Sequence, residues 1–271
     1  MSHQDLDTEE LLSLLSDPYQ APFLARTMIP MCDPPKPMGA WQPQGDASPL
    51  GLLAILPVEL LHELLKKLDL QSITRFSRVS IQARIAVQSL PGYRDLMSHA
   101  LHALEALSQT RMICHHTASQ LIAAFRNEQC TICSAFGPYL HLMTCERICW
   151  QCLERNRTLR VIPRETASEA FALSDEQVRQ LPTIFTIPGR YGGTQTPNRY
   201  RYNLVSVRAA IELAISVHGS LESVSEAFRG RTHTGIRAYE ERDLQAALDV
   251  VASGKYDALF TQPEDPIAFM A

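Results

Sequence analysis

Apolar and polar residues follow a clear helical period in residues 56–79, LPVELLHELLKKLDLQSITRFSRV. Leu60, Leu64 and Leu68 recur at i, i+4 and i+8, with Leu61 and Leu65 beside them, giving a wide apolar stripe. His62, Glu63, Lys66 and Lys67 fill the opposite face. Pro57 is predicted at the first helical position, where its missing N–H costs nothing. Asp69 is a good N-cap for a second helix, which is predicted to carry Ile73, Phe76 and Val79 on one side. Two helices this short cannot bury so much leucine against each other. The excess must pack on the rest of the chain or on a partner.

Periodicity further along predicts more helices and a little strand. After the Pro91-Gly92 break, Leu96, Ala100, Leu104 and Leu107 give one helix over residues 93–110. Another starts after Thr117, with Leu121, Ile122 and Phe125 on its apolar side. Residues 183–187 read as a strand ending at Pro188-Gly189, and the alternating Arg199, Tyr200, Arg201 and Tyr202 as a returning strand or exposed hairpin arm. Gly192-Gly193 and Pro197-Asn198 mark the loop between them. Val207, Ala210, Ile211, Ala214 and Ile215 form the stripe of a helix over 206–218, stopped by Gly219. A last helix is predicted over 240–252, with Leu244, Ala247, Leu248 and Val251 inward and Gly254 as its stop, before an irregular tail.

The first 49 residues differ in kind. Eight of the seventeen prolines lie there, so a disordered or extended arm is predicted, with one short amphipathic segment at residues 9–15 and a free thiol at Cys32.

The chemistry concentrates in residues 130–152, CTICSAFGPYLHLMTCERICWQC. Two C-x2-C pairs, Cys130 with Cys133 and Cys149 with Cys152, are separated by fifteen residues, a specific signal for Zn2+. The first pair is predicted on a knuckle before a hairpin through Phe136, Gly137 and Pro138, with strand-like residues at 139–142. The second pair opens a helix from Trp150 whose N-terminal amides favour thiolate. This order resembles a treble-clef zinc finger. Four thiolates close a tetrahedral site and leave no position for water, so the zinc reads as structural. Cys145 stands as an alternative ligand in place of Cys149, or as a small buried apolar group, and His141 as a weaker substitute. His99, His102, His115 and His116 read as surface histidines.

Composition narrows the class of protein. The chain has 271 residues, 20% charged residues and a formal net charge of −4. It lacks an apolar run of eighteen residues, so no membrane span is predicted, and the acidic N-terminus lacks a signal-peptide core, so a cytoplasmic or nuclear rather than secreted protein is expected. Arg147, Arg155, Arg157, Arg160 and Arg164 form a basic run behind the second cysteine pair, similar to DNA-binding fingers such as the GATA type. The acidic net charge and the lack of an aromatic stacking series argue against nucleic acid as the partner. No glycine-rich phosphate loop, nucleophile elbow or metalloprotease motif occurs, and the chain is not expected to be an enzyme.

The order LP-x-E-LL, then D-L-x-S, then R-V-S across residues 56–80 resembles an F-box. Where that pattern carries a basic residue and soon afterwards a tryptophan, this chain has Ile81 and Ala83. With the finger close behind and the I-P-G turn and helices downstream, the chain is similar to fungal F-box domain-containing proteins over roughly residues 50–260. The resemblance implies docking on a Skp adaptor, and through it on a cullin-type ubiquitin ligase, by Leu56, Pro57, Leu60, Leu64 and Val79, with an unidentified target protein recruited in turn. It also implies Cys130, Cys133, Cys149 and Cys152 as the zinc ligands. The expected fold class is mainly α with a small α+β part: an N-terminal helical F-box-like hairpin, a treble-clef-like finger, and C-terminal helices with a short hairpin. The expected domains are an arm at 1–49, an F-box-like unit at 50–96, and a zinc-stabilised region at 97–271 with its finger at 130–157. A zinc-finger nucleic-acid-binding protein and a structural protein with a vestigial F-box are the alternatives.

Overall fold

A computed structural model of the chain describes residues 50–190, 198–230 and 236–253. The expected arm, the Gly192-Gly193 loop, the Gly254 stop and the tail lie outside the described residues. The described part is mainly helical with two small antiparallel sheets, as expected. Among the described residues, no helix is long and apolar enough to cross a membrane.

Helix α1 (Val58–Lys66) begins after a 3-10 turn at Gly51–Ile55, and Pro57 is its extended N-cap rather than its first residue. Its leucine stripe divides in two. Successive helical residues turn about 100° apart, so Leu61 and Leu65 form one edge and Leu60 and Leu64 the other. The first edge is buried, at 5% and 3% exposure, while Leu60 and Leu64 keep 54% and 49%. Asp69 caps α2 (Leu70–Phe76), accepting from the Ser72 amide at 2.8 Å. The helix stops at Phe76, so Val79 does not share a face with Ile73. Ile73 is fully buried and Val79 stands in the following turn, 76% exposed. Ser80 then caps α3 (Ile81–Gln88), accepting from the Ala83 amide. Its inward residues Ala83, Ala86 and Val87 make too weak a stripe to stand out in the sequence.

Gly92 (φ 82°) opens α4 (Tyr93–His99), and α5 (Leu101–Gln109) follows. The single helix expected over 93–110 is thus divided at Ala100 (φ −109°, ψ 18°). Hydrogen bonds from the Ala100 amide to Leu96 and from the Leu104 amide to Ala100 run through the break, so all four apolar residues still face inward. Helix α6 (Ala118–Arg126) starts at Thr117 with a reciprocal capping box to Gln120. The Ala118 amide donates to the Leu68 carbonyl at 2.8 Å, which fastens α6 to the end of α1. Helices α1 to α6 share one core, from Leu61 to Ala124.

Beyond it come β1 (Tyr139–His141), β2 (Glu146–Ile148) and α7 (Trp150–Arg155). The second sheet has the order β3 (Val161–Pro163), β5 (Asn203–Ser206), β4 (Thr183–Phe185), all antiparallel. The returning strand expected at 199–202 therefore lies later: Val205 pairs Thr183, Leu204 pairs Ile184 and Asn203 pairs Phe185. Leu204 and Val205 are the apolar residues that half-bury on a sheet, which Arg199 and Arg201 are not. Helices α8 (Arg164–Phe171), α9 (Asp175–Val178), α10 (Val207–His218), α11 (Leu221–Arg229) and α12 (Ala238–Ala252) complete this part. All but the short α9 are amphipathic around a second core that includes Phe171, Ile211, Val224 and Leu248. Gly219 ends α10 in the left-handed region (φ 87°), where glycine has no steric penalty. Of the described residues, 187–190 and 198–201 belong to a separate compact unit, in which Gly189 and Asn198 exchange two backbone hydrogen bonds.

Gly92 carries a sharp requirement. Beyond its positive φ, a Cβ there would lie 2.8 Å from Ile122 Cγ2 on α6. Gly92→Ala is expected to cost about 1–3 kcal/mol, read as a lower urea midpoint with an unchanged slope.

Candidate metal centre and exposed leucine face

The sulfurs of Cys130, Cys133, Cys149 and Cys152 all lie within 4.8 Å of one another. The first pair sits on a tight turn. The Ser134 amide donates to the Cys130 carbonyl at 2.9 Å, and Ser134 takes a left-handed conformation (φ 60°) to close it. Gly137 lies against this turn so closely that a Cβ would meet Cys130 N at 2.9 Å, and backbone cannot easily give way. The Thr131 amide donates to the Arg147 carbonyl at 2.9 Å, linking the turn to β2. Cys149 then leaves β2 as the N-cap of α7, its sulfur accepting from the Cys152 amide. Phe136–Pro138 precede the hairpin rather than forming its turn, which spans residues 142–145 between β1 and β2. Tyr139 on β1 packs edge-on against Trp150 on α7, ring centroids 6.3 Å apart.

This donor set fits a tetrahedral metal. Cys133 and Cys149 sulfurs are 3.6 Å apart, and all four of these cysteines are free thiols. A tetrahedron of thiolates about 2.3 Å from its metal has edges of about 3.8 Å, whereas a disulfide needs about 2.05 Å. The electrostatics agree. Burial works against ionising Cys130, but the backbone amides of Cys149, Cys133 and Ile132 bring it down to about 7. Burial pushes Cys149 up, and burial and the three neighbouring thiols push Cys152 up. Four sulfurs this crowded become thiolates together only around a cation.

The other candidate ligands are placed elsewhere. Cys145, in a left-handed conformation (φ 58°), turns into the α1–α6 core, and burial pushes its thiol up to about 11. His141 uses both ring nitrogens. Nε2 donates to the Leu159 carbonyl at 3.1 Å, which leaves Nδ1 to accept from the Thr144 hydroxyl at 2.9 Å. His116, expected at the surface, is buried, with Nε2 donating to the Leu142 carbonyl at 2.6 Å. These two histidines tie the hairpin to the core and to the start of the second sheet. The basic run is partly folded in as well. Arg157 and Arg160 both pair with Asp243 on α12, at 3.0 and 3.2 Å.

The residues expected to meet an adaptor are at the surface together with others the periodicity did not single out. Pro57, Leu60, Leu64 and Val79 are exposed and Leu56 is half-buried. Leu52, Ile55 and Val58 are exposed large apolar residues of the same segment, as is Leu68 of the predicted stripe. For Leu52 and Ile55 the signal in the sequence is the run GLLAIL ahead of Pro57, which has no polar residue to place it in a core edge.

With this geometry in hand, comparison with protein families finds an F-box domain at residues 53–95. The match runs from the turn before α1 to the start of α4 and ends before the cysteines. No curated protein and no solved structure matches the chain.

Burial holds His116 and His141 below the usual histidine value of 6.5, although each gains a hydrogen bond to a carbonyl. The unfolded chain therefore binds protons first, so these groups favour the fold above pH 6.5 and withdraw that support as pH falls below it. Unfolding midpoints are expected to drop from pH 7 to pH 5.5. The drop should be smaller in His116→Gln, and an equal drop would show that His116 carries no linkage.

Proposed function

We propose that the chain is an F-box adaptor that docks on a Skp-type protein and, through it, on a cullin-type ubiquitin ligase. The observation that carries the reading is the outer edge of α1. Leu60 and Leu64 stay about half exposed on a helix whose other edge is locked in a core, inside the stretch that matches the F-box model. Leu56, Pro57 and Val79 flank that edge in sequence and complete the contact. Burying the exposed half of a leucine is worth about 1 kcal/mol, so Leu60, Leu64 and Leu68 together with Leu52, Ile55 and Val79 supply enough apolar surface for a stable complex. The region from residue 97 onward then presents an as yet unidentified target protein. Ubiquitin transfer is chemistry supplied by a partner enzyme, and this chain contributes proximity.

The metal this centre suits best is Zn2+. Four thiolates favour it over oxygen-seeking cations, and a closed tetrahedral set leaves no site for water or substrate. Its role would be structural, holding the knuckle, hairpin and α7 as one piece. Arg157 and Arg160 are paired with Asp243, which removes much of the support for a phosphate-binding surface behind the finger. A cytoplasmic or nuclear location goes with this reading, since the ligase partners and reduced thiols belong there.

Two variants separate these claims. Leu60→Asp with Leu64→Asp is expected to weaken co-elution with a co-expressed Skp-type protein by at least about 100-fold while zinc content stays the same. Undiminished co-elution would remove the interface. Cys130→Ser is expected to lose stoichiometric zinc and to lower the unfolding temperature, since structural zinc contributes on the order of 10 kcal/mol in small fingers. Metal analysis showing one zinc retained would refute the ligand set.

A further inference from the structure

Three arginines from distant parts of the chain line one cleft. Arg111 follows α5, Arg164 is the first residue of α8 and Arg179 follows α9. The cleft holds about 400 Å³, with His115, Cys114, Gln180, Thr183 and Phe185 also in its wall, and among the described residues no Asp or Glu lines it. It lies outside residues 53–95 and shares no residue with the cysteine cluster. Nothing in the adaptor reading or the metal centre uses it.

Two of the three arginines, Arg111 and Arg164, are held by neighbouring groups. Phe185 of β4 donates its amide to the Thr110 carbonyl at 3.1 Å, bringing β4 against the end of α5. Arg111, in the left-handed region (φ 63°), lays its guanidinium over the Phe185 ring, 4.4 Å from the centroid. A stacked guanidinium keeps its N–H edge available for a planar or tetrahedral acceptor. Arg164 donates from Nη2 to the Thr183 hydroxyl at 2.5 Å, and that hydroxyl donates onward to the Leu181 carbonyl at 3.1 Å. Arg164 Nε is shielded from water and has no acceptor. Among the described residues, no ion pair satisfies Arg111, Arg164 or Arg179.

Like charges gathered in a walled cleft repel, and a buried guanidinium N–H without an acceptor is costly. The chain as a whole is acidic, with a formal charge of −4, so this concentration is local. A polyanionic ligand entering the cleft relieves the repulsion. We infer that the cleft formed by Arg111, Arg164 and Arg179 binds a phosphoryl group, offered either by a small phosphate compound or by a phosphorylated side chain. A tetrahedral dianion presents several oxygens and can accept from more than one guanidinium at once, which suits it to a cleft lined by three arginines. Arg111, His115 and Arg179 are exposed, so the group can enter from solvent.

The test uses the full-length, zinc-loaded protein at fixed ionic strength, because surface electrostatics weaken with salt. Inorganic phosphate and a phosphoserine-containing peptide are each titrated, with the unphosphorylated peptide as control, and binding is followed by 31P line broadening and calorimetry. Saturable binding is expected, weakened at least tenfold in Arg111→Gln and in Arg179→Gln. Both residues are exposed, so these variants should keep the fold, checked by circular dichroism. A peptide bound at least tenfold more tightly than phosphate assigns the source to a modified side chain, and equal affinities assign it to a small phosphate. No saturable binding of either probe, or unchanged affinity in both variants, overturns the inference.

Discussion

The structure depends on the division of one leucine stripe between two surfaces. Leu61 and Leu65 commit α1 to a core that runs through α6, and the bond from the Ala118 amide to the Leu68 carbonyl fixes the end of the helix. The same commitment holds Leu60 and Leu64 outward in a set geometry. An isolated helix of nine residues would be marginal in water. Here tertiary packing pre-organises it, so its outer edge is formed without any partner, and docking there would carry no cost of ordering the helix.

The cysteine region is attached to that core rather than tethered beside it. Cys145 is a member of the α1–α6 core, with Leu140, Leu142 and Met143 packed against it, while the four clustered cysteines build a small core with Ile148 and Leu159. His116 reaches the hairpin turn at Leu142, and His141 reaches forward to Leu159 next to the second sheet. A hairpin of two three-residue strands has little stability of its own. These bonds, the Gly137 contact and a metal on the four sulfurs would together make it rigid.

Much of this was legible in the sequence, for identifiable reasons. Helical spacing disclosed α1, α6, α10 and α12 because their apolar stripes are strong, and the paired C-x2-C spacing disclosed the cysteine cluster. What periodicity could not say is which edge of a stripe faces the core, since Leu60 and Leu61 look alike in one dimension. The phase of Val79 was misplaced because α2 stops at Phe76, three residues before it. Helices α3 and α8 were missed because alanine fills much of their buried face. Cys145 could not be separated from the true cluster by spacing, as the deciding feature is a positive φ that turns it into another core. The arginine cleft was invisible for a stronger reason: its residues lie up to 68 positions apart, from Arg111 to Arg179, and only the docking of β4 on α5 unites them.

The central claim is that the outer edge of α1 is an interface held ready by the inner one. Hydrogen–deuterium exchange of the full-length protein, alone and with a Skp-type adaptor, tests it most directly. The account predicts slow exchange in α1 to α3 already in the free protein, with added protection over residues 52–80 when the adaptor is present and no change in the cysteine region. Fast exchange of α1 in the free protein, or an adaptor that leaves residues 52–80 unprotected, would contradict it.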